Sequence, residues 1–136
     1  VRFGRISHGS RLCGQGCLAA LANIPIREVI QDMECAGRTK TKQLIKALEL
    51  YGYNCPVSKL KVLRSWDDLP DIAILKVKTP TQRNWHWILK LKMLVWCPEK
   101  GPIVDLSQLL PGKVSSYLPV EETHEADWTG TGVGVL

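Results

Sequence analysis

Apolar residues change their spacing about halfway along this chain, and any fold for it has to accommodate a helical first half and an extended second half. After a turn at Cys13, Leu18, Leu21 and Ala22 continue a helical run until Asn23-Ile24-Pro25, where the proline disfavours a helical residue before it. Pro25 itself suits a first helical position. Ile26, Val29, Ile30 and Met33 then recur at the i, i+3, i+4, i+7 interval of one helix face as far as Gly37. A third helix is predicted with Thr39 or Thr41 as cap, Leu44, Ile45, Leu48 and Tyr51 buried, and Gly52 as its stop. Beyond Trp66-Asp67-Asp68-Leu69-Pro70, which reads as the crossing between two lobes, the period becomes that of strands. Ile72-Ala73-Ile74-Leu75-Lys76-Val77, Trp85 to Lys92, Leu94-Val95-Trp96 and Ile103-Val104 are short, β-prone and bounded by Pro, Gly, Asn and Asp. Helices followed by strands without regular alternation imply an α+β domain, an N-terminal helical lobe packed against a C-terminal antiparallel sheet.

A chain of 136 residues with 45% hydrophobic composition suffices for one core and is short for two, so residues 1–136 read as a single domain. Residues 121–136 read as its tail, acidic through Glu121, Glu122, Glu125 and Asp127 and then marked by Gly130, Gly132 and Gly134. No helix can follow those glycines, so they do not make a phosphate-cradling loop. No apolar run approaches the ~20 residues of a membrane span, and Val1-Arg2-Phe3-Gly4-Arg5 lacks the apolar stretch of a signal peptide. The first residue is not methionine, which is compatible with a piece of a larger protein. The net charge is +5, and setting aside the four tail carboxylates leaves +9 on residues 1–120. A body so basic attracts nucleic acid, an anionic surface or an acidic protein partner, or is a solvated face with no specific partner. Cysteines 13, 17, 35, 55 and 97 are odd in number and irregular in spacing, which argues against a closed disulfide framework. A reducing compartment, the cytoplasm, is therefore the expected site of action.

Two segments carry chemistry. In Cys13-Gly14-Gln15-Gly16-Cys17-Leu18 a thiol stands where a helix begins, at the positive end of its dipole, which favours the attacking thiolate. A free cysteine is as often a small buried apolar residue. Far along the chain, Asn84-Trp85-His86-Trp87-Ile88 supplies a histidine on a predicted strand, and a thiol with a distant histidine is the requirement of nucleophilic catalysis by cysteine. Trp85 and Trp87 alternate around His86, so a regular strand points both indoles away from the imidazole. Cys13 and Cys17 have a spacing found among zinc ligands, but no second pair accompanies them, so neither a metal nor another cofactor is expected. His124, in the acidic tail, reads as solvated.

Cys13-Gly14-x-x-Cys17-Leu18-Ala19, a Thr-containing start to a helix with Leu44 and Ala47-Leu48, Trp66-Asp67-Asp68-Leu69-Pro70 before Ile74-Leu75, and His86-Trp87-Ile88 opening a strand occur in an order that resembles the C39 peptidases of the papain-like cysteine peptidase superfamily. The resemblance spans roughly residues 7 to 110. It implies a papain-like fold with Cys13 as nucleophile, His86 as general base and Cys17 as a structural residue. In the family a glutamine about six residues before the nucleophile serves the oxyanion; here that place holds Ser7, with His8 beside it. The resemblance thus leaves backbone N–H groups with Ser7, His8 or Gln15 as oxyanion candidates. Loss of one such donor costs ~10²–10³ in rate. The family's orienting Asp commonly lies in an Asp-Pro step after the histidine strand. The similar step here is Cys97-Pro98, and Asp105 is the next carboxylate, favoured as orienter.

Several functions follow as expectations. The first is a cysteine peptidase or related acyl-transfer enzyme acting on a protein or peptide substrate. A second makes the chain the toxic effector domain of a larger bacterial secreted protein, with an acidic immunity or inhibitor protein as partner. A third uses the basic surface to act on nucleic acid as a nuclease or binding module. A fourth is a degenerate domain that only binds peptide.

Overall fold

In the computed structural model, which describes residues 3–6, 11–78, 85–103 and 114–122, the three predicted helices are α1 (Cys13–Ala22), α2 (Ile26–Met33) and α3 (Thr41–Leu50). Helix α1 is buried from Cys13 to Leu21, on every face, which is why its sequence shows so little polar alternation. It ends where Asn23 turns left-handed (φ 60°) ahead of Pro25. Helix α2 is strongly two-faced and inserts Val29 into the core; it stops at Met33 because Glu34 adopts φ 54°, short of the expected Gly37. Helix α3 buries Leu44, Ala47 and Leu48, and Gly52 at φ 88° supplies the left-handed step after Tyr51. Its start differs from the predicted threonine cap. The N-cap position is Lys40, whose N–H donates to Gln43 Oε1 at 2.7 Å, while Thr39 is buried beneath it. The Tyr51 hydroxyl donates to Asp32 Oδ2 at 2.7 Å and ties α3 to α2.

The expected crossing is a 3-10 turn at Trp66–Asp68, its start capped by Ser65 Oγ accepting from Asp67 N–H. Around it runs an antiparallel sheet of β1 (Tyr53–Asn54), β2 (Lys61–Val62), β3 (Ile72–Lys78), β4 (Trp85–Leu91), β5 (Leu94–Cys97), β6 (Gly101–Ile103) and β7 (Val114–Glu122). The order is β1-β7-β3-β4-β5-β6, with β2 also paired to β7. Strand β7 corrects the expectation of a tail from residue 121. Glu122 and Glu121 pair with Tyr53 and Asn54, and the acidic residues open inside the sheet. Pro119, opposite Ala73 of β3, falls between the stretches of β7 paired to β2 and to β1, where a missing N–H breaks no ladder bond on that edge. The remaining tail residues lie outside the described residues.

Strand β3 is apolar in succession because both of its faces are covered. Ile72 and Ile74 join Leu18, Val29, Leu44, Leu48, Trp87, Leu89 and Leu118 in the core between sheet and helices. Ala73, Leu75 and Val77 join Ile88, Val95, Cys97 and Tyr117 on the other face, with Leu63, Leu69 and Val114 packed against them. Each fully buried leucine, such as Leu18, Leu44 or Leu48, contributes about 1.5–3 kcal/mol relative to exposure. The α+β class and the helical lobe against an antiparallel sheet are as the apolar spacing predicts.

Candidate active site

Strand β5 pairs with β4 from Leu89 to Leu91, and the ladder on that edge does not extend to Trp87. The first turn of α1 takes the place of a strand there. The Trp87 backbone N–H donates to Cys13 Sγ at 3.3 Å, so a helix-borne thiol satisfies a buried strand amide one residue from His86. The Trp87 indole N–H donates to the Thr39 carbonyl at 3.3 Å and fixes the segment leading into α3 over the same turn. Two glycines permit this approach. A methyl at Gly14 would collide with the Thr39 hydroxyl, and one at Gly16 would come 2.9 Å from Pro98 Cβ. The motif Cys-Gly-Gln-Gly-Cys is therefore a packing requirement as well as a chemical one.

The alternation around His86 is as predicted. Trp87 and Leu89 enter the helix-side core, with Trp85 packed against it, while Ile88 belongs to the opposite face. His86 shares that opposite face by strand parity, is half-buried, and places Nε2 3.0 Å from Cys97 Sγ. Cys13 therefore meets the edge of β4 from the helix side, whereas the imidazole lies toward the far face and the end of β5. Cys97 ends β5, and buried Pro98 accepts the Ile6 N–H at 2.9 Å. The described side chain beside His86 is thus Cys97, while the expected orienter Asp105 lies outside the described residues. The signal for Cys97 was the Cys97-Pro98 step, standing where the resembled family has Asp-Pro.

Electrostatically the resting Cys13 differs from the helix-dipole expectation. It is 7% exposed, and burial pushes its thiol above the ordinary value. The N–H groups of Trp87 and Gly14 pull the other way, and the Glu99 carboxylate adds to the rise. Desolvation outweighs the helix terminus, so the thiol holds its proton at neutral pH. Cys17 is wholly buried and is pushed further up, first by burial and then by the neighbouring Cys13 and Cys97 thiols.

Of the oxyanion candidates, Gln15 is fully buried and its Nε2 donates to the Cys35 and Gly37 carbonyls at 2.9 and 2.8 Å. That amide nitrogen is committed to the loop between α2 and α3 and is not presented beside Cys13. Ser7, His8 and Asp105 lie outside the described residues. Leu12, the N-cap of α1, gives no side-chain hydrogen bond, so among the described residues the first backbone N–H groups of the helix have no side-chain cap. Among the described residues no group of three or more His, Cys, Asp and Glu is arranged to hold a metal ion, and no helix is long and apolar enough to cross a membrane.

No protein-family model and no curated protein matches the sequence. Among solved structures the chain is similar to a double glycine motif protease from an AMS/PCAT transporter, determined in complex with the leader peptide. The TM-score is 0.64 at 15% identity, over 90% of this chain and 93% of that one. The chain thus shares the α+β fold of that protease, with three helices against an antiparallel sheet.

Proposed function

We propose that this protein is a papain-like cysteine hydrolase that cleaves a peptide or amide bond, with Cys13 as nucleophile and His86 as general base. The observation that carries the reading is the seat of Cys13 Sγ, at the first turn of α1 and 3.3 Å from the amide of the residue next to His86. Because burial keeps the thiol protonated, His86 has to take its proton as sulfur attacks the carbonyl carbon. The uncapped N–H groups at the start of α1 are the donors best placed for the oxyanion that forms. The imidazolium then gives its proton to the leaving amine, and water, activated by the same imidazole, hydrolyses the thioester. The solved neighbour holds a leader peptide, which supports an extended peptide as the substrate class.

The test needs no identified substrate at its first stage. Iodoacetamide should alkylate Cys13 ahead of Cys17, Cys35, Cys55 and Cys97, and His86→Ala should remove that preference. Cleavage of a peptide library should vanish in Cys13→Ala with the circular dichroism spectrum unchanged. Preferential labelling of Cys17 or Cys97, or a Cys13→Ala variant that still cleaves, would overturn the assignment.

A further inference from the structure

We propose that the cleft between α3 and residues 55–58 is a docking site for an acidic, amphipathic helix of a partner protein. The proposal stands apart from the roles of Cys13 and His86, since it concerns what this surface holds and not which bond is cleaved.

The charge of the chain is unevenly spread. Residues 38–64 carry seven Lys and Arg and one carboxylate, Glu49, a net +6. The other residues hold eleven basic and twelve acidic side chains, a net −1, so this one stretch supplies the whole positive balance of +5. All seven of its cationic side chains are exposed. Arg38 and Lys40 lead into α3, and Lys42 and Lys46 stand on it. Lys59, Lys61 and Arg64 follow the cleft into β2 and beyond. Lysines on an edge strand also serve to keep strands of other chains away, which accounts for Lys61 on β2. Lys42 and Lys46 lie on a helix, and among the described residues neither has a hydrogen bond or ion pair within the chain. Like charges gathered without internal partners repel one another, and an anionic partner relieves that repulsion.

The cleft has an apolar floor as well as a charged rim. It is an open hollow of about 380 Å³, with Lys42, Ile45 and Lys46 on the helix side and Cys55, Pro56 and Val57 opposite. Ile45 and Val57 are half-buried, so each packs on the core with one side and meets the hollow with the other. Lys42, Ile45, Lys46 and Glu49 fall at the i, i+3, i+4, i+7 interval of one helix face, and Leu50, 65% exposed, continues the Lys42 and Lys46 row. Cationic and apolar positions thus alternate at helical spacing. The complement is a helix with Asp or Glu one turn apart beside a row of leucines, laid into the groove. The same lining disfavours nucleic acid. None of the residues around the hollow is aromatic, so bases find no face to stack on, and Glu49 at the end of the row repels a phosphate run. A bilayer, flat on this scale, leaves the floor unfilled.

Fluorescence anisotropy on the full chain tests this, with a fluorescein-labelled synthetic helix carrying Glu pairs one turn apart along a leucine row. The helix should bind saturably, weaken as salt rises, and protect Cys55 from maleimide labelling read by mass spectrometry. Lys42→Glu/Lys46→Glu should lose at least about tenfold in affinity. Lys78→Glu/Lys92→Glu makes the same change in net charge at exposed sites outside the stretch, and should stay within about twofold of native. Equal losses in the two double variants would reduce the effect to net charge and overturn the proposal. Equal affinity for a scrambled peptide of the same composition, or no saturable binding, overturns it too. Tighter binding of a poly-dT oligonucleotide, a DNA duplex or phosphatidylserine vesicles would assign the stretch to another class of partner. Native affinity for the helix in Cys13→Ala separates the two readings, because docking then stands whether or not Cys13 is the nucleophile.

Discussion

Gly14→Ala tests how tightly the nucleophile's turn is clamped. On propensity alone the change should stabilise α1, since alanine gains roughly 0.5–1 kcal/mol over glycine in a helix. The structure opposes it. The new methyl would overlap the Thr39 hydroxyl, and rotating that hydroxyl away leaves Thr39 Cβ at 3.1 Å, tighter than an ordinary contact. Thr39 cannot retreat easily, being 1% exposed with its carbonyl held by the Trp87 indole. Overpacking of this kind costs about 1–3 kcal/mol. The net expectation is a loss of about 1–2 kcal/mol, or roughly 3–10 °C in Tm for a chain of this size. Thr39→Ala alone should be within about 1 kcal/mol of native. It forfeits a buried methyl but removes a buried hydroxyl oxygen that has no hydrogen-bond partner among the described residues. The double variant should then regain most of what Gly14→Ala loses, a coupling of at least about 1 kcal/mol. Urea unfolding followed by tryptophan fluorescence gives all three values. A Gly14→Ala midpoint at or above native, or strict additivity in the double variant, would refute the clamp.

Gln15→Ala should cost about 2–4 kcal/mol, because it opens a cavity and strips the Cys35 and Gly37 carbonyls of their shared donor. A loss below about 1 kcal/mol in the same urea assay would show that the α2–α3 loop is held by other groups. Stability should also fall in alkali. Burial raises the thiols of Cys13, Cys17 and Cys97, and takes Cys55 to about 11 with Glu49 and Glu121 adding to the rise. Thiols in the unfolded chain ionise near ~8.5, so above that pH the unfolded state sheds protons first and folding loses ground as pH climbs toward the folded values. Thermal unfolding under reductant should be flat from neutrality to about pH 8 and decline beyond it; a flat profile into strong alkali contradicts the burial of these thiols.

Helices α2 and α3 were legible because their burial follows their spacing: Val29, Leu44 and Leu48 fall where a 3.6 period puts them. So were β3 and β4, as apolar or alternating runs between turn residues. Strand β7 was not, because Ser115, Ser116 and Pro119 make Val114–Glu122 read as loop, and only its place between β1, β2 and β3 shows why a proline is tolerated there. At the site, Cys13 and His86 stood out by residue type, and the structure puts the thiol against the strand that carries the histidine. The rule about helix ends favours a Cys13 thiolate but carries no information on burial, which raises this thiol. Cys97 was noticed only through its Cys97-Pro98 step. A thiol in a turn looks inert until register places it beside an imidazole.

The position of β7 has a consequence for biogenesis. Strands β1 and β2 leave the ribosome well before β3, yet their partner in the sheet is β7, and β3 itself has β7 on one side and β4 on the other. Until β7 is made, therefore, β1 and β2 lack the strand they pair with, and only the β3–β6 meander can form. The sheet is completed when residues 114–122 emerge and pair with partners as distant in sequence as Tyr53 is from Glu122. Such non-local closure is slow relative to helix formation. The nascent chain thus presents a helical half carrying Cys13 and a strand half carrying His86 before the element that unites the sheet exists.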